Sequence, residues 1–286
     1  MLLNFTQKTG HMARIIGEQT FHDHAEAWWD EKGPFGMLHA LTPLRLSWLR
    51  AMWARHQGRP EKSLVRPWLQ GVHVLDIGTG GGLLAEPLAR QGAHVTGLDA
   101  LPQNVDTARA HQAAEEAKAV AKAGAKAGAR SEGQEGGEKG RLDLTYHALS
   151  LAAYRKQRPG PMFDLIVAFE VIEHTEDPLD FLSDIDDLLK PGGLCLLSTL
   201  NRTVASAIKA IGLAEYVLGW IPKGTHAWEA FLTPGELAHC ADTLNWEVMD
   251  VQGVDYAPRK KAWIFSKKIN TNYFTAFLKN EKESLR

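Results

Sequence analysis

Two carboxylates and an imidazole lie close together in the stretch AFEVIEHTEDP, at residues 168–178. Glu170, Glu173 and His174 directly follow an apolar run that is typical of a buried strand. If the segment after that run is helical, the three side chains share one face. Such a set suits a hard or borderline divalent cation. Two other interpretations stay open: His174 acts as a general base, or Glu173 and His174 form the polar start of a helix.

The glycine-rich loop in VLDIGTGGGLLAE is the second candidate functional segment, as a ligand-binding loop. Its glycines allow a close approach of the backbone to a ligand and torsions that other residues rarely adopt; they are Gly78, Gly80, Gly81 and Gly82. The dinucleotide fingerprint G-x-G-x-x-G fails here, because its third glycine is replaced by Leu83. This disfavours a hydride-transfer enzyme. Asp76, just before the loop, suits a cationic ligand better than a pyrophosphate.

Asp99 ends the next predicted strand, 21 residues after Gly78. A carboxylate in this position can accept hydrogen bonds from both hydroxyls of a ribose. A glycine loop and a ribose carboxylate without a phosphate site indicate S-adenosylmethionine (SAM), which carries a ribose and a sulfonium but no phosphate. The alternative is a glycine turn that only joins a strand to a helix.

Apolar runs alternate with helical patterns along most of the chain. The runs lie at residues 72–77, 93–99, 142–148, 163–170 and 193–200, and LLAEPLARQ and PLDFLSDIDDLL are typical of the intervening helices. Continuous apolar runs predict buried parallel strands, and the alternation predicts an α/β fold with helices on both faces of the sheet. The PGG at 191–193 is predicted to stop the helix before the fifth strand. Ligands bind at the carboxyl ends of such strands.

The composition limits the class of protein. The 286 residues are 44% hydrophobic and carry a net charge of −2, so no global basic field predicts a nucleic-acid partner. Cys195 and Cys240 are far apart and match no metal or redox spacing. The first residues lack the apolar core of a signal peptide, and no stretch is long enough to span a bilayer. A cytoplasmic protein is predicted. Residues 113–140, Ala/Lys-rich and then Gly/Glu/Ser-rich, are interpreted as a partly disordered surface insertion.

The chain resembles the ubiquinone-biosynthesis O-methyltransferases, which are class I SAM-dependent enzymes. The resemblance extends in order over roughly residues 24–278 and leaves out mainly the insertion. It is carried by WWDEKGPFGMLHALTPLRLSWL, VLDIGTGGGLLAEPLA, VTGLDA, EVIEH, LKPGG, STLNRT, AEYVLGWIPKGTH and NYFTAF. The glycine loop marks only the superfamily, whereas LHALTPLRL, STLNRT and PKGTH are specific to this family. The family usually has cysteine where Thr79 stands.

The resemblance implies methylation of a phenolic hydroxyl on polyprenylated ubiquinone precursors, at two steps of the pathway. It also implies site residues. The SAM contacts fall on Arg45, Gly78, Asp99 and Phe169, and the metal ligands, for magnesium or zinc, fall on Glu170, Glu173 and His174. Two alternatives remain open at this point: a SAM-dependent enzyme for another lipid or aromatic molecule, and a non-catalytic SAM- or lipid-binding component of an assembly.

The expected architecture is a Rossmann-like class I methyltransferase with a seven-stranded, mostly parallel sheet. An N-terminal helical cap (1–60) precedes the methyltransferase domain (61–286), and a lid (201–230) follows the fifth strand. WEVMDVQG and TNYFTAFL are the expected last two strands, the final one antiparallel. An apolar stripe at 203–222 predicts either a lid helix, or a lid that also docks on an anionic membrane surface. The predicted location is therefore the cytoplasm, peripheral at the inner face of the membrane, with possible contacts to other ubiquinone-biosynthesis proteins.

Overall fold

The strands of the central sheet coincide with the apolar runs of the sequence. The computed structural model describes residues 25–127, 141–160, 162–203 and 231–281. Its strands are β1 (His73–Ile77), β2 (His94–Asp99), β3 (Leu144–Ala148), β4 (Phe163–Phe169), β5 (Leu189–Leu200), β6 (Trp246–Ala257), β7 (Ala262–Ser266) and β8 (Asn272–Lys279). Their order across the sheet is β3-β2-β1-β4-β5-β8-β6-β7. β1 to β5 pair in parallel, and β8 lies antiparallel between β5 and β6. The predicted parallel sheet and antiparallel final strand are confirmed.

The sheet has eight strands over the described ranges, one more than predicted. The additional strand, β7, forms an antiparallel hairpin with the end of β6, from Ala257↔Ala262 to Gly253↔Ser266. It is the outermost strand and pairs with β6 alone. Five residues between basic clusters give a weak strand pattern, and only the pairing with β6 makes the segment extended.

The helices lie between the strands as the sequence predicts. They are α1 (Gly36–His56), α2 (Ala85–Ala89), α3 (Pro102–Ala127), α4 (Leu151–Gln157), α5 (Pro178–Leu188) and α6 (Pro234–Thr243). Local signals fix two of their starts. The Asp177 side chain caps α5 by accepting hydrogen bonds from the backbone of the first turn, and Thr233 and Glu236 form a capping box at α6.

Two hydrophobic clusters cover the two faces of the sheet. One is built on α1, α2 and α3, and the other on α4, α5 and α6. Strand β4 contributes side chains to both clusters, because successive side chains of a strand point to opposite faces. Leu165 and Val167 belong to the first cluster, and Ile166 and Ala168 belong to the second. Their complete burial explains why β4 is an uninterrupted apolar run from Leu165 to Phe169.

The predicted role of PGG is wrong in detail. Helix α5 already ends at Leu188, because Leu189 takes an extended conformation and pairs with Phe163 of β4. Residues 191–193 therefore lie in the irregular first part of β5, where Gly192 has a φ of +72°.

The insertion begins as a helix. α3 continues through its Ala/Lys-rich part to Ala127, which agrees with the sequence pattern, whereas residues 128–140 lie outside the described residues. Residues 1–24 of the predicted cap and 204–230 of the predicted lid and membrane stripe also lie outside them. Within the ranges described, no helix is long and apolar enough to cross a bilayer.

Candidate active site

A cavity of about 710 Å³ opens at the carboxyl ends of β1, β2 and β4. This is the edge at which open parallel sheets bind ligands, and the volume is in the range of small-molecule sites. The glycine loop, the end of β2, the end of β4 and the N-terminal cap all contribute to its wall. Arg45, Gly78, Asp99 and Phe169, the four residues to which the resemblance assigns SAM contacts, line this one cavity.

The glycine loop leaves no room for side chains. Gly78 has a φ of +69°, and a Cβ atom there would lie 2.5 Å from Cγ2 of Val171. A Cβ atom on Gly80 would lie 2.5 Å from the indole ring of Trp28. Only glycine meets both the torsion and the contact, so the loop presents bare backbone to the cavity.

Asp99 is held by the chain in the position expected of a ribose ligand. Its Oδ2 accepts a hydrogen bond from the backbone N–H of Gly80 at 2.9 Å. Its Oδ1 accepts from the backbone N–H of Leu101 at 2.9 Å and from Nδ2 of Asn104 at 3.1 Å. A carboxylate has about four lone-pair sites, so these three bonds leave capacity for a ligand hydroxyl. Burial raises the pKa of Asp99, and the same three hydrogen bonds oppose the increase.

Asp76 lies beneath the loop at the end of β1 and is only 3% exposed. Its Oδ2 accepts a hydrogen bond from Oγ1 of Thr79 at 2.7 Å. Burial raises its pKa to about 7; the hydrogen bond from Thr79 and the charge of Arg45 oppose this, and the Asp99 carboxylate adds to it. A positive charge in the cavity would favour the ionised form of Asp76, as expected for a site that takes a cationic ligand.

Arg45 reaches the cavity from helix α1 and is 6% exposed. Its Nη2 lies 2.9 Å from Oε1 of Glu170, and its guanidinium lies over the ring of Phe169, 5.2 Å from the centroid. Its buried Nε donates no hydrogen bond to any described residue. A buried donor without an acceptor is costly, and a ligand carboxylate would satisfy it. The backbone cradle, Asp99 and Arg45 together fit SAM.

The EVIEH segment is not an α-helix. The prediction that Glu170, Glu173 and His174 share one helical face is therefore wrong. Glu170 directly follows β4 and has a φ of +60°, an uncommon torsion for a residue other than glycine. Only a short 3-10 turn follows, Ile172–His174. Glu170 and His174 line the cavity, whereas Glu173 is 9% exposed and its Oε2 has no hydrogen-bond partner among the described residues. Burial, and next the Glu170 carboxylate, raise the pKa of Glu173 to about 8.

The predicted metal ligands are not brought together. Among the described residues, which include Glu170, Glu173 and His174, no group of three or more His, Cys, Asp or Glu side chains is placed to hold a metal ion. Glu170 is instead paired with Arg45. The donor set in this arrangement does not fit a metal ion.

The cap contributes residues that sequence reasoning missed. Nε1 of Trp28 donates to Oδ1 of Asn104 at 2.9 Å, and Asn104 in turn holds Asp99. Trp29 donates to the carbonyl of Gly81 at 2.9 Å and stacks on His111, with centroids 3.4 Å apart. Neither two adjacent tryptophans nor a lone asparagine in α3 gives a sequence signal for these contacts. The cap therefore packs on the glycine loop and, through Asn104, supports the carboxylate of Asp99.

Comparison with known proteins agrees with this geometry. Residues 47–251 match the model of a family described as a methyltransferase domain. The chain is 40% identical over 257 residues to the ubiquinone biosynthesis O-methyltransferase of Methylobacterium nodulans, with 90% of this chain and 91% of that protein covered. It is 36% identical over 249 residues to the mitochondrial ubiquinone biosynthesis O-methyltransferase of Arabidopsis thaliana, with 87% and 69% covered.

Solved structures agree on the fold. The plantazolicin methyltransferase BpumL in complex with SAH matches with a TM-score of 0.55 at 13% identity, covering 98% of this chain and 100% of that one. The magnesium protoporphyrin IX methyltransferase of Synechocystis PCC 6803 with bound SAH matches with a TM-score of 0.50 at 19% identity, covering 83% and 82%. Both likenesses concern the class I methyltransferase fold alone. The identities of 36–40% over most of the chain establish more: this protein belongs to the ubiquinone-biosynthesis O-methyltransferase family of SAM-dependent enzymes.

Proposed function

We propose that this chain transfers a methyl group from SAM to a phenolic hydroxyl of polyprenylated ubiquinone precursors, acting on both a polyprenyl catechol and a demethylubiquinol. The observation that carries the proposal is the convergence of Arg45, Gly78, Asp99 and Phe169 on one cavity. These residues come from four separate segments, and the family resemblance assigns all of them to SAM. The names of the relatives support the substrate class.

Three parts of the chain would hold SAM. The free capacity of the Asp99 carboxylate accepts from a ribose hydroxyl, and the hydrogen bonds from Gly80 and Leu101 keep that carboxylate in place. The unpartnered Nε of Arg45 pairs with the carboxylate of the methionine moiety. Asp76, beneath the loop, balances positive charge in the cavity. When bound, SAM supplies an electrophilic methyl group on its sulfonium.

The remaining task of the chain is to hold the phenol and take its proton. A phenol has a pKa near 10, so little phenolate exists at neutral pH. Glu170 and His174 are the members of EVIEH that line the cavity, and we assign the proton acceptor to this pair, with His174 as the general base. Glu173 lies behind them as a buried carboxyl. Alignment of oxygen, methyl and sulfur in a closed site supplies much of the remaining rate enhancement.

Metal assistance is a separate prediction from the family resemblance. Magnesium or zinc at Glu170, Glu173 and His174 would need these side chains to converge, and Glu170 would have to leave Arg45, with which it forms an ion pair at 2.9 Å. No step above uses the ion. A chelator in the assay tests the prediction directly: loss of turnover that added magnesium or zinc restores would support the metal, and unchanged turnover would contradict it.

The substrate also bears on where the protein acts. A polyprenyl tail partitions into a bilayer, which supports a cytoplasmic protein peripheral at the inner face of the membrane. Contacts with other ubiquinone-biosynthesis proteins stay a prediction from the resemblance.

The experiment that tests the function is methyl transfer from labelled SAM to a short-chain demethylubiquinol and a short-chain prenyl catechol. We expect turnover on both. His174→Gln should lower kcat by about 10²- to 10⁴-fold, the usual contribution of a general base, while SAM affinity stays near that of the wild type. His239→Gln changes an exposed histidine of α6 and is the matched control. SAM binding without turnover on either ring would contradict the proposed substrate class, and full activity of His174→Gln would contradict the base.

A further inference from the structure

The hairpin formed by the end of β6 and by β7 carries an unusual concentration of positive charge. Residues 257–270, here the basic hairpin, contain five basic residues and no Asp or Glu, in a chain whose net charge is −2. All five are exposed: Arg259, Lys260, Lys261, Lys267 and Lys268. Two large apolar side chains between them are also exposed, Ile264 at 36% and Phe265 at 41%. The proposed methyl transfer uses none of these side chains.

Strand direction places the basic hairpin at the edge of the sheet where the cavity opens. β8 is antiparallel to both β5 and β6, so β6 runs in the same direction as β1 to β5. The carboxyl end of β6 therefore points to the same edge as the carboxyl ends of the parallel strands. Asn272, the first residue of β8, pairs with Leu200 of β5 and Val254 of β6. β6 continues to Ala257, so the hairpin projects past the point at which its neighbour β8 begins.

The basic hairpin is fixed to helix α1 and to the residues that follow β5. Nε1 of Trp263 donates to the carbonyl of Met37 in α1, at 3.1 Å. On the other side, the backbone N–H of Asn201 donates to the carbonyl of Thr271 at 2.7 Å, and Oγ1 of Thr203 donates to the carbonyl of Asn270 at 2.5 Å. These contacts hold the strand pair in one orientation. Its basic side chains therefore lie at the edge of the sheet where the cavity opens.

From these observations we infer that the basic hairpin docks the protein on an anionic lipid bilayer, with the cavity mouth facing the membrane. Basic side chains are attracted to anionic headgroups, and exposed apolar side chains among them can enter the interfacial layer. A nucleic acid would match the charge as well, but exposed Ile264 and Phe265 would gain nothing from a phosphate backbone. The bilayer is the partner that uses both features.

The inference deepens the proposed function and rests on it for its purpose. A substrate whose tail lies in a bilayer can enter a cavity that faces the bilayer while its ring reaches the site and its tail stays in lipid. Binding to lipid itself can be measured without any methyl transfer, so docking and catalysis can fail separately.

The test is sedimentation of the full chain with phosphatidylcholine vesicles that contain about a third of phosphatidylserine or phosphatidylglycerol. We compare the wild type with Arg259→Gln/Lys260→Gln/Lys261→Gln. The matched control, Arg59→Gln/Lys62→Gln/Arg66→Gln, removes the same charge from exposed residues that precede β1, on the opposite side of the sheet from the cavity. With roughly fivefold in partition coefficient per basic residue at the surface, the hairpin variant should bind about 100-fold more weakly and the control close to the wild type.

Two further measurements complete the test. Phe265→Ser should reduce the binding that persists at about 0.5 M salt, where charge attraction is screened. Turnover of the hairpin variant should equal that of the wild type on a soluble short-chain quinol and fall at least tenfold on a long-chain substrate in vesicles.

Equal vesicle binding by the hairpin variant and the wild type would overturn the inference, as would equal losses in the hairpin variant and the charge control. Displacement of the wild type from vesicles by low concentrations of RNA, with tighter RNA binding, would assign the hairpin to nucleic acid instead. Absence of turnover on the soluble quinol would contradict the proposed function. The vesicle binding of the hairpin variant and the charge control would still decide whether the hairpin docks on lipid.

Discussion

The buried carboxyl of Asp76 should make the stability of this protein depend on pH in a predictable direction. Asp76 is 3% exposed, and burial raises its pKa from 3.8 to about 7. In Asp76→Asn the side chain has no charge at any pH. The amide oxygen can still accept the hydrogen bond that Oγ1 of Thr79 donates at 2.7 Å in the wild type, so we expect the loop to keep its geometry.

The sign follows from proton binding in the two states. Because the pKa of Asp76 is about 7 in the folded chain and near 3.8 in the unfolded chain, the folded state binds more protons between these values. The free energy of unfolding of the wild type therefore falls as pH rises through this interval, by at most about 1.4 kcal/mol per pH unit. The loss accumulates to on the order of 4 kcal/mol and stops above pH of about 7.

The assay is urea unfolding of the wild type and Asp76→Asn at a series of pH values from about 5 to 8. Carboxyls such as Glu173, whose pKa is also raised, titrate in both proteins and cancel in the difference. Between pH 5 and 7 the stability of Asp76→Asn relative to the wild type should rise by about 2 kcal/mol. Asp106→Asn removes a carboxylate whose side chain is 74% exposed and serves as the control. Parallel pH profiles for the wild type and Asp76→Asn would refute the reasoning.

The same titration should be visible in ligand binding. A cationic ligand in the cavity favours ionised Asp76, so the affinity of the wild type for SAM should increase as pH rises from about 6 to 8. Asp76→Asn should lose that increase, which calorimetry at each pH measures.

Two further substitutions test the glycine loop and the proposed ribose contact of Asp99. Gly78→Ala forces a Cβ atom to within 2.5 Å of Val171 at a φ of +69°, and should cost about 1–3 kcal/mol in thermal unfolding. Gly58→Ala has a similar φ of +61° but no atom within 4 Å, so a loss as large in Gly58→Ala would contradict the steric argument. Asp99→Asn should weaken SAM binding at least tenfold in calorimetry, because the amide nitrogen cannot accept from a ribose hydroxyl or a backbone N–H; wild-type affinity would contradict the ribose role.

Much of the fold follows from local patterns in the sequence. β4 is covered on both faces from Leu165 to Phe169, and these five consecutive residues are all apolar, which indicates a buried strand without reference to its neighbours. Asp177 and Thr233 sit immediately before prolines and acidic residues that begin α5 and α6, which is a local start signal. β7 was missed because its conformation depends on pairing with β6 rather than on its own pattern.

The candidate site likewise contains residues that local patterns predict and residues that they do not. Gly78 and Asp99 were predictable because a tight strand-to-helix turn and the end of the next strand fix their spacing along the chain. Arg45 and Phe169 needed the family resemblance, since one comes from the cap and the other from β4. The helical face expected for Glu170, Glu173 and His174 depended on a conformation that a positive φ at Glu170 and a short 3-10 turn replace.

The sequence by itself determined the order of strands and helices apart from β7, the glycine loop, the acidic residue that ends β2 and the family, because each of these depends on the types of residues close together in the chain. The tertiary structure decided the contacts between distant segments. It places Trp28 against Gly80 and Asn104, pairs Arg45 with Glu170, and leaves the predicted metal ligands apart. It also places the hairpin that carries five basic residues at the edge of the sheet where the cavity opens. Such contacts depend on how the helices and the cap pack on the sheet, and no spacing along the chain encodes that packing.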